Sequence, residues 1–223
     1  SATFSAAGDV TLEDGKVKTA TSVDINSGGS LTQNASVDAG TSVDYDAAGT
    51  IGINEFIATG TTIDIDALQT TTIAEAGDIR SGGAVTFGAD KAGTLTTAAN
   101  INTTDDNVTF TNAVTLSGGD SAVSIDTTGT GAGNILFQSE VLTGGQALTL
   151  DAGTAGNITA DNSITGGGAL TVVDGAVQTY KGNIDVGSLA ILDATDSVTL
   201  GADTSKTVKT ATSVDINSGG SLT

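Results

Sequence analysis

Short runs of alternating apolar and polar residues recur along the whole chain, and Gly, Asn, Asp and Thr separate one run from the next. Examples are AVTF, NVTF, AVTL, AVSI, ALTL, ALTV, NIDV and SVTL. Alternation with a period of two is typical of a β-strand that buries one of its faces. No stretch of the sequence has the period of an amphipathic helix, so the pattern predicts an all-β protein.

A regular period of 20 residues governs the segments 21–40, 41–60 and 61–80. The aligned apolar positions are Val23, Val43 and Ile63 in one column and Ile25, Tyr45 and Ile65 in another. Strands that return with the same inward and outward positions are typical of a solenoid, whereas the strands of a sandwich differ in role. We therefore predict a right-handed parallel β-helix, that is a β-solenoid, with coils of about 20 to 24 residues.

A longer repeat is superimposed on the coils. Residues 17–32, VKTATSVDINSGGSLT, recur without change at residues 208–223, an offset of 191 residues. The chain thus holds one long repeat and the start of the next, and we interpret 1–223 as a single continuous solenoid segment. With coils of the predicted length, the repeat would contain about eight to nine coils and span on the order of 40 Å.

The inward positions of such a solenoid would stack in apolar ladders along the axis, so that added length adds stability. The inward residues that we predict include Val85, Phe87, Val108, Phe110, Leu148 and Leu150. Glycine pairs are expected at sharp turns, often with positive φ. These pairs are Gly28-Gly29, Gly82-Gly83, Gly118-Gly119 and Gly144-Gly145.

Composition and charge exclude several classes of function. The chain has 26 acidic and seven basic residues and a net charge of −19, which disfavours binding to nucleic acid. It has no His or Cys and a single Arg, so the usual nucleophile and general-base pairs are missing. No apolar stretch is long enough to cross a bilayer. We expect neither an enzyme nor a membrane-spanning protein, and no required cofactor.

The acidic residues form columns in the 20-residue register. Asp24, Asp44 and Asp64 fall in one outward column, and Asn26, Asp46 and Asp66 fall in the next. Like charges about 4.8 Å apart repel each other, and Ca²⁺ prefers carboxylate and amide oxygens. The columns are therefore either a solvated acidic face or a calcium site. The candidate calcium ligands are Asp24, Asp44, Asp46, Asp64 and Asp66.

Four Asn-x-Ser/Thr sequons begin at Asn34, Asn102, Asn107 and Asn157. Glycosylation at these asparagines is possible in a secreted protein, although a sequence rich in Thr and Asn also produces such sequons by chance.

Residues 107–201 share a degenerate GxLTLxAxGxI pattern with GNI turns at Asn134, Asn157 and Asn183. This stretch resembles the repeats of filamentous-haemagglutinin-like exoproteins and of giant β-strand-repeat bacterial surface adhesins. The resemblance implies a right-handed β-helix that is secreted or anchored at the cell surface and acts as a shaft, an adhesin or a matrix fibre.

These observations favour a structural segment of a long extracellular bacterial fibre or adhesin stalk. The expected partners are further copies of the repeat along the fibre axis, and beyond them other cells, glycans or matrix. A carbohydrate-binding or carbohydrate-cleaving β-helix module is the alternative. It also stays open whether one giant chain carries many repeats or separate chains join end to end.

Overall fold

The computed structural model describes residues 1–118, 122–201 and 205–223. Within these residues the chain forms 28 β-strands and no helix, and all the strand pairs are parallel. Successive strands wind into a β-solenoid of about 10 turns, which confirms the predicted solenoid architecture.

The described strands follow one another in ten coils. The first four coils contain β1 (Ala2–Ala6), β2 (Val10–Thr19), β3 (Val23–Ser27), β4 (Leu31–Ala39), β5 (Val43–Ala47), β6 (Ile51–Ile53), β7 (Ile57–Thr59), β8 (Ile63–Ala67), β9 (Thr70–Ile73) and β10 (Ile79–Ser81). The next three contain β11 (Val85–Phe87), β12 (Thr94–Thr97), β13 (Ile101–Thr103), β14 (Val108–Phe110), β15 (Val114–Leu116), β16 (Val123–Asp126), β17 (Ile135–Phe137), β18 (Val141–Leu142) and β19 (Leu148–Asp151). The last three contain β20 (Ile158–Ala160), β21 (Ile164–Thr165), β22 (Ala169–Asp174), β23 (Val177–Tyr180), β24 (Ile184–Val186), β25 (Ser188–Ile191), β26 (Ser197–Leu200), β27 (Val208–Thr210) and β28 (Val214–Ile216).

Each coil places one strand position in each of three columns. The first column is β1, β3, β5, β8, β11, β14, β17, β20, β23 and β26. The second column runs through β6, β9, β12, β15, β18, β21, β24 and β27, and the third through β7, β10, β13, β16, β19, β22, β25 and β28. The long strands β2 and β4 serve both the second and the third columns, with Val10 paired to Leu31 and Val17 paired to Val37. The solenoid therefore presents three strand faces.

Coil length follows the prediction except in one place. In the first column, paired residues of neighbouring strands lie 20 to 23 residues apart in the sequence in most of the described coils. Between Val108 and Ile135 the interval is 27 residues. Part of the added length is a loop that returns to the preceding coil, where the Gly131 amide donates to Asp105 Oδ1 at 2.5 Å. A loop anchored by a hydrogen bond lengthens this coil without changing its strand register.

The core lies between the three faces. The six predicted inward residues are all buried, and so is Tyr45. In the first column, Phe87, Phe110 and Phe137 stack with ring centroids 5.3 and 4.7 Å apart and nearly parallel planes. Such ladders of like residues are expected when successive coils place the same sequence position at the same point of the core.

Two kinds of constraint act on the glycine pairs. Gly118, Gly144 and Gly145 have positive φ values of 113°, 59° and 86°, as the turn prediction expects. Gly119 lies outside the described residues. These positions favour glycine because a side chain is strained in the left-handed region.

The prediction of positive φ is wrong for Gly28-Gly29 and Gly82-Gly83, which are not in that region. Here glycine allows a close approach between coils. A Cβ atom on Gly28 would lie 2.5 Å from the carbonyl oxygen of Ala7, and one on Gly82 would collide with the carbonyl oxygen of Gly60. The solenoid corners are thus packed backbone against backbone.

Candidate functional site

The acidic columns lie on the first face, where the strand register brings the predicted residues together. Asp24 is paired with Asp44, and Asp44 with Asp64. In the neighbouring column Asn26, Asp46 and Asp66 follow one another in the same way. The two columns that the sequence predicted are therefore real neighbours on β3, β5 and β8.

The carboxyl groups of these columns are not all exposed equally. Burial, together with repulsion from Asp66 and Asp44, raises the pKa of Asp64 to about 6. Burial also raises the pKa of Asp44, and the charges of Asp46 and Asp24 act in the same direction. Stacking the columns therefore costs free energy when the carboxylates are ionised, as expected for like charges brought together with partial loss of solvent.

Asp66 departs from the prediction of an outward, solvated side chain, because only 4% of its surface is exposed. The reason is the corner between β11 and β12 in the next coil. Residues 88–93 form this corner, whereas only residues 68 and 69 separate β8 from β9. The longer corner folds over Asp66, and the Asp90 amide donates to Asp66 Oδ2 at 3.3 Å.

The same corner brings a lysine into the acidic columns. Lys91 Nζ forms an ion pair with Asp46 Oδ1 and lies 3.5 Å from the carbonyl oxygen of Asp66. The sequence analysis missed Lys91, because it lies 45 residues from Asp46. The available signal was the added length of the corner, which places a basic residue next to a predicted acidic column.

The calcium assignment of Asp24, Asp44, Asp46, Asp64 and Asp66 stays a prediction. In the part of the chain that the structure describes, no group of three or more His, Cys, Asp or Glu side chains is arranged to hold a metal ion. Two carboxylate oxygens, Asp64 Oδ1 and Asp66 Oδ1, are buried and lack a hydrogen-bond partner. The Lys91 ammonium supplies positive charge at Asp46, the middle member of the second column.

A second polar feature is a groove of about 330 Å³ on the third face. Arg80, Asn102 and Asp126 are stacked there by the register of β10, β13 and β16. Asn102 Nδ2 donates to Asp126 Oδ2 at 3.2 Å, and the Arg80 guanidinium lies 5.6 Å from the centroid of the Phe56 ring. The 20-residue register of the sequence does not predict this groove, because its residues come from coils of unequal length.

Stacked asparagines line the corner that precedes the first column. The backbone N–H of Asn134 donates to Asn107 Oδ1 at 2.9 Å, and the backbone N–H of Asn157 donates to Asn134 Oδ1 at 2.8 Å. The Val177 amide continues the series to Asn157 Oδ1 at 3.1 Å. These asparagines therefore hydrogen-bond one coil to the next, which gives the GNI turns at Asn134 and Asn157 a structural role.

The four sequon asparagines differ in their surroundings. Asn107 and Asn157 belong to the asparagine stack, Asn102 donates to Asp126, and Asn34 Oδ1 accepts a hydrogen bond of 2.8 Å from Asn54 Nδ2. These contacts leave both interpretations of the sequons open, glycosylation and chance occurrence.

The described residues contain no helix that could span a membrane. Comparisons with protein-family models, with curated protein sequences and with solved structures found no match to this chain.

Proposed function

We propose that this chain is a structural segment of a long extracellular bacterial fibre or adhesin stalk, located at the cell surface or in the surrounding matrix. The observation that supports the proposal most is the continuity of the three hydrogen-bonded columns along the described coils, together with the restart of the 191-residue repeat at residue 208. A solenoid whose repeats contact only their neighbours can be extended along its axis without a larger core.

Hydrogen bonds between coils make such a segment suitable as a shaft. In the first column the Val23 amide donates to Ser42 O at 2.9 Å, and the Val43 amide donates to Thr62 O at 2.9 Å. Bonds of this kind run along the axis on all three faces, so bending or compression must distort many of them together. The lack of Pro in the chain is consistent with this arrangement, since each ladder position needs its N–H group.

The charge of the surface supports the same function. A net charge of −19 makes separate shafts repel each other, and the repulsion weakens as salt screens the charges. Fibres of this protein should therefore stay dispersed at low ionic strength and associate laterally as salt or divalent cations are added.

Electron microscopy of the native material tests the proposal. Filaments whose power spectra contain a layer line near about 4.8 Å and a longer spacing on the order of 40 Å are the expected result. Compact particles that lack both spacings would overturn it.

A carbohydrate-binding or carbohydrate-cleaving module is the second candidate, and the groove on the third face is the observation that favours it. Guanidinium, amide and carboxylate groups side by side are able to hydrogen-bond sugar hydroxyls. A glycan array probed with the native chain and with Arg80→Ala tests this candidate. Binding that disappears in Arg80→Ala, or the release of sugars from a bound glycan, would favour it over a purely structural role.

A further inference from the structure

The two identical copies of VKTATSVDINSGGSLT lie on different faces of the solenoid. Val17, the first residue of the first copy, is on the third face and pairs with Val37. Val208, the first residue of the second copy, is on the second face and pairs with Ile184. Identical sequences therefore begin on different columns.

The displacement holds along the whole shared segment. Ile25 lies on the first face, where it pairs with Tyr45, whereas its equivalent Ile216 lies on the third face and pairs with Ile191. Leu31 lies on the second face, and its equivalent Leu222 forms a bridge to Val198 on the first face.

The residues that precede the copies are displaced in the same direction. Val10 in the run DVTL is on the second face, and Val198 in the corresponding run SVTL is on the first face. The change of face is therefore already present on β26, before the second identical copy begins at residue 208.

Counting strand positions gives the cause. Val17 occupies the third position of the first coil and Val208 the second position of the tenth, so 26 strand positions separate them along the described coils. Because 26 is not a multiple of three, the 191-residue repeat spans eight and two-thirds coils. The stack that begins at Val17 accordingly ends at Ile216 and not at Val208. In order it contains Val17, Val37, Ile57, Ile79, Ile101, Ile125, Leu150, Val172, Ile191 and Ile216.

We propose that successive repeats are rotated by one face about the solenoid axis, and that the edge formed by β26, β27 and β28 receives a further copy of the repeat in this rotated register. Identical surfaces return to the same face only after three repeats, which contain 26 coils. This inference goes beyond the proposed shaft function, because a shaft could equally be built from repeats that are in phase.

Burial identifies the occupant of the edge. In the first copy, Val23 and Leu31 are covered by a coil on either side and are buried. Their equivalents Val214 and Leu222 are 52% and 55% exposed. Identical apolar residues require the same neighbouring chain to bury them. In the first copy, residues 37–53 bury these side chains on the side that is open in the second copy. The partner that fits the edge is therefore a segment with that sequence.

The rotation also determines how the fibre presents its charge. The acidic columns of the first repeat lie on the first face, and those of the next lie on the third face, about 42 Å further along the axis. A lateral partner that binds one set of columns would meet the next set rotated by about 120°. Acidic columns on all sides oppose flat, side-by-side sheets of fibres and favour separate shafts.

Paired cysteines in the full chain test the register, since the native chain has no Cys. In the proposed register Ala190 pairs with Asp215. In an in-phase register Val208 would pair with Ile191, which lies in the same stack as Val17, and Thr207 would take the place of Asp215 beside Ala190. The variants are A190C/D215C and A190C/T207C, with T86C/T109C as a positive control from two paired interior strands. Directly paired residues of neighbouring strands are close enough for a disulfide.

Mild oxidation, non-reducing electrophoresis and mass spectrometry of the cross-linked peptides give the readout, with circular dichroism to show that each variant is folded. Cross-linking of A190C/D215C but not of A190C/T207C is the expected result. The reverse pattern would establish an in-phase repeat. Cross-linking of both pairs, or of neither while T86C/T109C is oxidised, would also overturn the rotated register.

Discussion

Lys91 Nζ is ion-paired with Asp46 Oδ1 across one intervening coil. Asp46 lies on β5 in the third coil, and Lys91 follows β11 in the fifth. Between them the Lys91 ammonium passes the carbonyl oxygen of Asp66 in the fourth coil. One side chain therefore joins three successive coils at the position where the stacked carboxylates repel each other.

Replacement of Lys91 by Ala should lower the free energy of unfolding by on the order of 1 kcal/mol at neutral pH, because Asp46 and Asp66 lose their nearest positive charge. The side chains of Lys91 and Asp46 are 25% and 35% exposed, so solvent screens part of the interaction. Urea unfolding followed by tyrosine fluorescence measures the change. The control is Lys181→Ala, which removes a more exposed pair with Asp161 and should have a smaller effect. Equal effects of the two variants would contradict this account.

The acidic columns should make the protein more stable as the pH falls from 7 toward 4. The pKa of Asp64 in the folded chain, about 6, lies above its ordinary value of 3.8, so protonation favours the folded state. The stabilisation is complete below the unfolded pKa and is lost as the pH rises through about 6. Burial raises the pKa of Asp44 and Asp66 in the same direction. Thermal unfolding at a series of pH values should show the midpoint rising over this window.

Substitution of Asp64 by Asn should remove much of this pH dependence and stabilise the chain at pH 7 by about 1 to 2 kcal/mol, allowing for solvent screening. Asp38→Asn is the matched control with the opposite direction, because hydrogen bonds from Lys16 and Lys18 hold the pKa of Asp38 below its ordinary value. It should not stabilise the chain at pH 7. An unchanged slope of midpoint against pH in Asp64→Asn would show that this carboxyl is not the titrating group.

The phenylalanine stack should be a major contribution to the core. Phe110 lies between Phe87 and Phe137, so Phe110→Ala leaves a cavity in the middle of the ladder. We expect a loss of about 3 to 5 kcal/mol. Chemical unfolding monitored by circular dichroism measures it. Phe4→Ala, at a partly exposed position of the first coil, should cost less than about 1 kcal/mol, and a similar loss in both variants would contradict the role of the stack.

The glycine corners should not tolerate even a methyl group. A Cβ atom on Gly60 would collide with the carbonyl oxygen of Gly40 in the coil before it. Because the position of a Cβ atom is fixed by the backbone and the atom that it meets is a backbone oxygen, the coils must separate, and Gly60→Ala should cost about 1 to 3 kcal/mol. Gly8→Ala is the control, because a Cβ atom there would meet no atom within 4 Å and φ is outside the left-handed region. Thermal unfolding should separate the two variants, and equal midpoints would exclude the steric explanation.

The sequence alone was sufficient for the fold class and for much of the core. Alternation placed Val85, Phe110 and Tyr45 inside, because the two faces of a strand differ in burial whatever its neighbours are. The constant interval of 20 residues also predicted that Asp24, Asp44 and Asp64 stack, since here the coil length and the sequence period are equal.

Only the tertiary structure decided what happens where the coils change length. Strand alternation says which side chains point inward, but the number of residues at each corner determines which residues of the next coil lie above them. The longer corner at residues 88–93 buries Asp66 and brings in Lys91. The same dependence places Val208 on a different face from the identical Val17, because a column is chosen by the count of all the strands wound before it.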